Sequence, residues 1–369
     1  MPPVVPRSPA GRAHRRRVLV IPLIVIALLS AACASPASNA AGTAVPTAPP
    51  TGASSSGTAP TGASPSGTAG PPAAQAGFPV TIDNCGTQVT VDAPPQRILA
   101  IKSTSLELLL ALGVGDRVVG QAFVDSPVPA QWTAAAGKIP VISDQAPAQE
   151  PVLELEPDLI VAGWESNLAA DTAGKRDTLA AKGIASYVSP AACKEKQYQP
   201  AKLTYQLLFD EFAELGRLLG VSDKAAALIA QQQQLLTTVQ KAKAGTTALW
   251  WSSGTDTPYV GAGIGAPQMV MDAAGLTNIA ADVKDTWTSL GWEPIIAANP
   301  DVIVLVDASW NPATKKIADL QNNPATARLD AVVHHRYIVV PFAAAEAGVR
   351  SVQAAVDVGA KARQLGFGD

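Results

Sequence analysis

The chain has 369 residues, enough for two or three domains, with a formal charge of −3, 47% hydrophobic residues and 15% charged ones. It has no basic excess, which argues against an electrostatic nucleic-acid binder. Its three cysteines are too few for a disulfide-dense scaffold, and its three histidines, His14, His334 and His335, supply no zinc cluster. The N-terminus opens with Arg12, Arg15, Arg16 and Arg17, then an unbroken apolar run of 12 residues from Val18 to Leu29. A bilayer-spanning helix needs roughly 20 residues, so this run suits the core of an export signal.

Leu29-Ser30-Ala31-Ala32-Cys33 resembles a bacterial lipobox, although Ser30 stands where that motif prefers leucine. The resemblance implies a signal peptide over 1–32 and a diacylglyceryl thioether on Cys33. Arg15-Arg16-Arg17 also fits a twin-arginine signal loosely, so the export route stays open. Residues 33–77 are Ala, Ser, Thr, Pro and Gly with almost no charge, and Thr51–Pro60 is nearly repeated by Thr61–Gly70. Such a segment buries too little apolar surface to offset chain entropy and is expected to be a disordered tether.

The remaining body, 78–369, alternates strand-length apolar runs with helical patterns. Strands are expected at Arg97–Ile101, Leu159–Ala162, Ala248–Trp251, Val302–Val306 and Tyr337–Val340. Ser105–Gly113 reads as a helix, with Thr104 and Glu107 spaced as a capping box and Gly113 as its stop. This alternation predicts an α/β fold with mainly parallel sheets. Glu150-Pro151 through Pro157-Asp158 to Val161 aligns without a gap with Glu293-Pro294 through Pro300-Asp301 to Val304, at a constant offset of 143. Each copy predicts a short helix beginning at its proline, a break at Pro-Asp and a buried strand. A single repeat at half the body length predicts two related lobes, 78–202 and 246–369. Between them, 203–245 keeps helical spacing, with Gly220 interrupting it. That segment is either one stiff spine or two ordinary packing helices.

Three segments, Val80–Gly86, Ala93–Ile98 and Glu107–Gly113, together with the doubled Glu-…-Pro-Asp element, resemble the solute-binding proteins of iron-siderophore and cobalamin ABC importers. The resemblance covers roughly 78–365. It implies two α/β lobes joined by a single long helix, with a ligand cleft between them. It further implies a monomer anchored by lipid to the outer face of the cell membrane, an ABC permease dimer with its ATPase as partners, and no catalysis. Thr246–Gly265, Ala162–Asn167 and Thr286–Trp292 look like an actinobacterial subgroup proposed to import a precursor of the deazaflavin coenzyme. The family also implies that Glu150 and Glu293, one per lobe, meet the permease. On their own they read as helix-start acids favoured by the macrodipole.

Cleft residues are expected beyond the carboxyl ends of strands. These are Lys102, Ser103, Trp164, Glu165, Trp251, Tyr259, Trp287, Trp310 and Arg350. Stacking on the tryptophans suits a flat conjugated ligand, and Lys102 and Arg350 are expected to meet its phosphate or carboxylate. A cofactor or metal chelate is itself expected as the ligand; no separate cofactor or bound metal is expected. Cys85 and Cys193, left after Cys33 is lipidated, favour a disulfide outside the cytoplasm, against two separate buried thiols. Gly261-Ala-Gly263-Ile-Gly-Ala266 has dinucleotide-fingerprint spacing, but Pro258 before it and Pro267 after it suit a turn better. Two classes remain: a transport binding protein, and an extracytoplasmic enzyme or adhesion module on the same scaffold.

Overall fold

A computed structural model describes residues 77–368. The expected signal peptide, Cys33 and the tether lie outside these residues. The described chain opens with a hairpin, β1 (Val80–Asn84) and β2 (Thr87–Val91), whose alternating burial marks one buried face. There follow β3 (Ile98–Ile101), α1 (Ser103–Ala111), β4 (Val118–Ala122), α2 (Ala130–Ala136) and β5 (Val141–Ser143). Next come α3 (Gln149–Glu154), β6 (Leu159–Ala162), α4 (Arg176–Ala180) and β7 (Ala185–Val188). Strands β5-β4-β3-β6-β7 form a parallel sheet in that order. β3 and β6 are buried at every residue, as apolar strands covered on both faces must be.

Two helices come next, α5 (Tyr205–Leu218) and α6 (Ser222–Leu236). The single long helix is therefore replaced by a pair. Gly220 takes a left-handed φ of 69° that ends α5. A Cβ on Gly216 would lie 2.4 Å from that of Ala225, so glycine there lets α6 pack tightly against α5. Leu208, Phe212, Leu215 and Leu218 sink the apolar face of α5 into the first lobe's core, and α6 also packs on the last long helix of the chain.

The second lobe has β8 (Thr247–Ser253), β9 (Tyr259–Gly261), α7 (Ala266–Ala274), β10 (Thr277–Asn278), β11 (Trp287–Ser289) and α8 (Trp292–Ala298). It continues with β12 (Val302–Asp307), α9 (Ala313–Asn322), α10 (Asp330–Val333), β13 (Tyr337–Pro341) and α11 (Ser351–Ala362). Its sheet runs β11-β9-β8-β12-β13, with β10 also pairing β8. The β8, β10, β12 and β13 pairings are parallel, whereas β9 and β11 pair antiparallel.

The internal repeat has a physical explanation. α3 and α8 start two residues before Pro151 and Pro294, so each proline sits within the first turn and not at its first position. Both segments then reach a left-handed residue directly before the Pro-Asp pair, Glu156 at φ 44° and Asn299 at φ 41°. Asp158 accepts hydrogen bonds from the backbone N–H of Gln96 and Arg97 at 2.6 and 2.9 Å. Asp301 accepts from the N–H and the hydroxyl of Thr247 at 2.8 and 2.9 Å. Each aspartate therefore holds the segment entering its lobe's first sheet strand, β3 or β8, beside the strand it introduces.

The hairpin is tied to the first lobe twice. Buried Arg176 donates to the Asn84 carbonyl, the Asn84 side chain and Ser186, while Asn84 exchanges bonds with the backbone of Val188. Next to this network a disulfide joins Cys85 to Cys193.

Candidate functional site

In each sheet the strand order reverses beside its first strand, between β3 and β6 and between β8 and β12. The crevice outside the carboxyl ends at such a switch point is where open α/β sheets bind ligands. Two adjoining cavities occur there, of about 140 and 390 Å3. The smaller is walled by Thr104, Gly163, Ser189 and Ala191 of the first lobe and by Ala266, Thr286 and Ala345 of the second. Ser252, Ser253, Tyr259, Trp310 and Phe342 wall the larger. Trp164, Trp287 and Glu346 belong to both.

The aromatic wall is preassembled. Tyr259 stacks on Trp287 with centroids 5.8 Å apart and planes 14° from parallel. Trp310 meets Phe342 edge-on at 5.8 Å, and Trp164 meets Phe123 edge-on at 5.7 Å. The antiparallel pairing of β9 with β11 places Tyr259 opposite Ser289 and Gly261 opposite Trp287, which brings the stacked pair to one edge of the sheet. Tyr259 is 42% exposed and Trp310 59%, so large apolar surface is left uncovered at the mouth.

Lys102, expected to contact ligand, lies instead beneath this wall at 0% exposure. It takes φ 85° and ψ 155°, a region that a side-chain-bearing residue occupies at a cost on the order of 1–3 kcal/mol. Its ammonium pairs with Asp125 of the first lobe and, at 3.2 Å, with Glu346 of the second. It also sits 3.2 Å from the Trp164 ring centroid, and 5.0 and 4.9 Å from those of Phe123 and Phe342. Gly163 permits this approach, because a Cβ there would come within 2.8 Å of the Thr104 hydroxyl and 3.0 Å of the Lys102 Cβ. The expected capping box does not form. Lys102 takes the N-cap position of α1 without a side-chain cap bond, and Glu107 faces the other lobe.

Arg350 is likewise taken up by protein. It forms a two-pronged ion pair with Glu107, Nε donating to Oε2 at 2.7 Å, and donates to the Pro127 carbonyl at 2.6 Å. Burial pushes the Glu107 carboxyl up, and Arg350 pulls it back. Ser103 accepts from the Ser126 N–H at 3.0 Å, and Ser126 in turn accepts from the Ala343 N–H across the lobes at 2.9 Å. Three residues expected to bind ligand, Lys102, Ser103 and Arg350, thus build the contact between lobes. The reason is burial: a charge without water needs a partner, and the facing lobe supplies it.

Two further expectations fall elsewhere. Glu165 accepts from the Lys194 N–H at 2.6 Å, steadying the segment that carries Cys193. Trp251 is 1% exposed in the second lobe's core, donating to the Ser253 carbonyl at 2.7 Å and meeting Trp292 edge-on. Trp164, Tyr259, Trp287 and Trp310 do line the cavities. Glu150 and Glu293 are exposed in the first turns of α3 and α8. The glycines of the dinucleotide-like run serve packing, since a Cβ on Gly261 would strike Pro267 at 2.3 Å and one on Gly263 the Ala281 carbonyl at 2.0 Å. Among the described residues there is no group of three His, Cys, Asp or Glu side chains placed to hold a metal ion. Nor is any helix among them long and apolar enough to cross a membrane.

Sequence reading missed Ser189, Thr286, Phe342 and Glu346. For Glu346 a signal existed: it is the single acid in a run of alanines just past a predicted strand end. Burial pushes its carboxyl up to about 7; the Lys102 charge opposes that and Asp125 adds to it.

The family described as periplasmic binding protein matches residues 98–344. An uncharacterized ABC transporter substrate-binding lipoprotein of Bacillus subtilis is 26% identical over 75% of this chain and 83% of its own length. The cobalamin-binding protein of Halobacterium salinarum is 30% identical over 63% of this chain, which spans 62% of that protein. The crystal structure of an ABC-type Fe3+-hydroxamate transport system from Saccharomonospora viridis superposes with a TM-score of 0.65 at 26% identity. That match covers 77% of this chain and 99% of the other.

Proposed function

The chain belongs to the periplasmic binding protein family, and from that premise we propose that it is the extracytoplasmic substrate-binding lipoprotein of an ABC importer. It captures a large, flat organic cofactor or metal chelate and delivers it to a permease dimer driven by its ATPase. The observation that carries this reading is the wall of Trp164, Tyr259, Trp287 and Trp310 around two adjoining cavities at the carboxyl edges of both sheets. Stacked aromatics contribute roughly 0.5–1.5 kcal/mol per pair beyond area burial, which rewards a conjugated ring over a sugar. A precursor of the deazaflavin coenzyme is the ligand we favour. Cobalamin, bound by the Halobacterium relative according to its name, is the next candidate, ahead of ferric siderophores and haem.

Lipidation of Cys33 holds the monomer at the outer face of the membrane, and residues 34–77 serve as its tether. Glu150 and Glu293, equivalent in the repeat and exposed, dock the permease without touching ligand. Each lies in the first turn of the helix that runs back before β6 or β12, toward the same sheet edge as the cleft.

Thermal-shift and tryptophan-fluorescence titrations with deazaflavin precursors, cobalamin, ferric siderophores and haem test the ligand class. Stabilisation and quenching by one of these compounds is expected. Stabilisation by a bare cation or a simple sugar, with none by these, would overturn it.

A further inference from the structure

The two cavities share three residues, Trp164, Trp287 and Glu346, so a ligand filling both passes all three. Among the described residues lining either cavity, Glu346 is the one that carries charge. Its side chain is 11% exposed; the Lys102 ammonium lies 3.2 Å from each carboxylate oxygen, and the Trp164 side chain hydrogen-bonds the group as well. The cations nearby are engaged: Lys102 is sealed beneath Trp164 between Asp125 and Glu346, and Arg350 is gripped by Glu107. One ammonium against two carboxylates leaves the floor of the cleft with an excess of negative charge. The walls above are indole and phenol faces, whose π-electron density also favours positive over negative charge.

We propose that Glu346 sets the charge class of the ligand: the ring entering between Trp164 and Trp287 is uncharged or cationic, and one bearing a carboxylate or phosphate at that point is rejected. This rests on the cleft being the ligand site, and it reverses the expectation that Lys102 and Arg350 receive an anion. Anionic substituents of a larger ligand must then point out past Trp310 and Tyr259, toward water. The physical basis is a like charge held in a water-poor site, a repulsive element of the kind that gives binding sites their specificity. Protonation of Glu346 relieves the repulsion. The groups facing it are Lys102, Asp125 and the Trp164 side chain, whose hydrogen bond favours the charged form, with the Glu107–Arg350 pair in the same contact between lobes. The carboxyl is pushed up to about 7 by burial, so its charge changes within an accessible pH range.

Three flat tricyclic probes test this: lumiflavin (uncharged), proflavine (cationic) and acridine-9-carboxylate (anionic), titrated by tryptophan quenching against the full-length protein. At pH 8.5 the wild type should bind the first two at least tenfold tighter than the third. Glu346→Gln should narrow that ratio to about twofold, chiefly by gaining affinity for the anion. Should the variant fail to fold, wild type alone decides: lowering the pH to 6 should strengthen acridine-9-carboxylate severalfold and weaken proflavine. A preference for the carboxylate, or a ratio unmoved by both substitution and pH, would overturn the proposal. Failure of all three probes while cobalamin or a deazaflavin precursor stabilises the protein would overturn it as well, and spare the cleft. If nothing in either panel binds, the cleft reading itself fails and this inference falls with it.

Discussion

In each lobe a short helix leads to a left-handed residue, Glu156 or Asn299, and a Pro-Asp pair then brings in a buried strand. Asp158 and Asp301 tie that strand to the start of its neighbour in the same way. Beyond this shared half the lobes diverge. The first lobe keeps an all-parallel sheet and carries a disulfide-tied hairpin and a buried lysine at its rim. The second inserts two antiparallel strands, β9 and β11, and turns its rim into an aromatic wall. The amino ends of the strands, where the fold is held, stayed alike, whereas the carboxyl ends, where ligand and partner lobe meet, became different surfaces.

The largest effect that separates the two rims is expected at Lys102. Lys102→Ala leaves Asp125 and Glu346 buried without their cation, and breaking such a pair costs about 3–5 kcal/mol. Urea denaturation at pH 8 should read this loss, and it should shrink at pH 5 as Glu346 takes a proton. A loss below about 1 kcal/mol would mean that water reaches the clasp.

The disulfide ranks next. Cys85→Ser with Cys193→Ser should cost about 2–4 kcal/mol and loosen the hairpin before the second lobe. Hydrogen exchange should show early opening of 80–91, and thiol labelling of unreduced, denatured wild type should find neither cysteine. Two labelled thiols would contradict the bridge.

The repeat itself predicts equality. Asp158→Ala and Asp301→Ala should each cost about 1–3 kcal/mol, because each removes two hydrogen bonds to a carboxylate. Melting temperatures that fall together support equivalent roles; a drop for one alone would confine the device to that lobe.

A pH dependence is expected from the first lobe. Burial pushes the Glu211 carboxyl up to about 8; a hydrogen bond from Ser189 opposes this and Glu214 adds to it. A carboxyl raised in the folded state binds protons that the unfolded chain releases near 4.5. Its contribution is therefore complete below that pH and lost as pH rises through about 8. Glu211→Gln should flatten the decline in melting temperature between pH 6 and 8.5. An unchanged slope would assign the decline to another group, with Glu346 the first to test.

Much of the fold was legible because strands and repeats are local. The apolar runs at 98–101, 159–162 and 302–306 fell where strands form, since an apolar run of that length bounded by turn residues has few alternatives. The break at Gly220 was visible too, but not its consequence. Whether a chain continues straight or folds back depends on what Gly216 and Ala225 pack against. In the site, the aromatics at strand ends were readable as surface-seeking groups near a crevice. Trp251 was not distinguishable from them, because β8 is covered on both faces, so Trp250 and Trp251 pack into cores on opposite sides of the sheet although they lie close to the strand's end.

The sequence by itself determined the alternation of strands and helices, the duplicated Pro-Asp element and the concentration of tryptophan near strand ends, all of which depend on neighbours along the chain. Only the tertiary structure decided what the charges do. Lys102 and Glu346, and Glu107 and Arg350, are each more than two hundred residues apart, and they meet because the two lobes close their rims on one another. A buried ion takes whichever opposite charge the fold delivers to it, because leaving it unpaired in a low dielectric costs several kcal/mol. No local pattern in the sequence encodes that delivery.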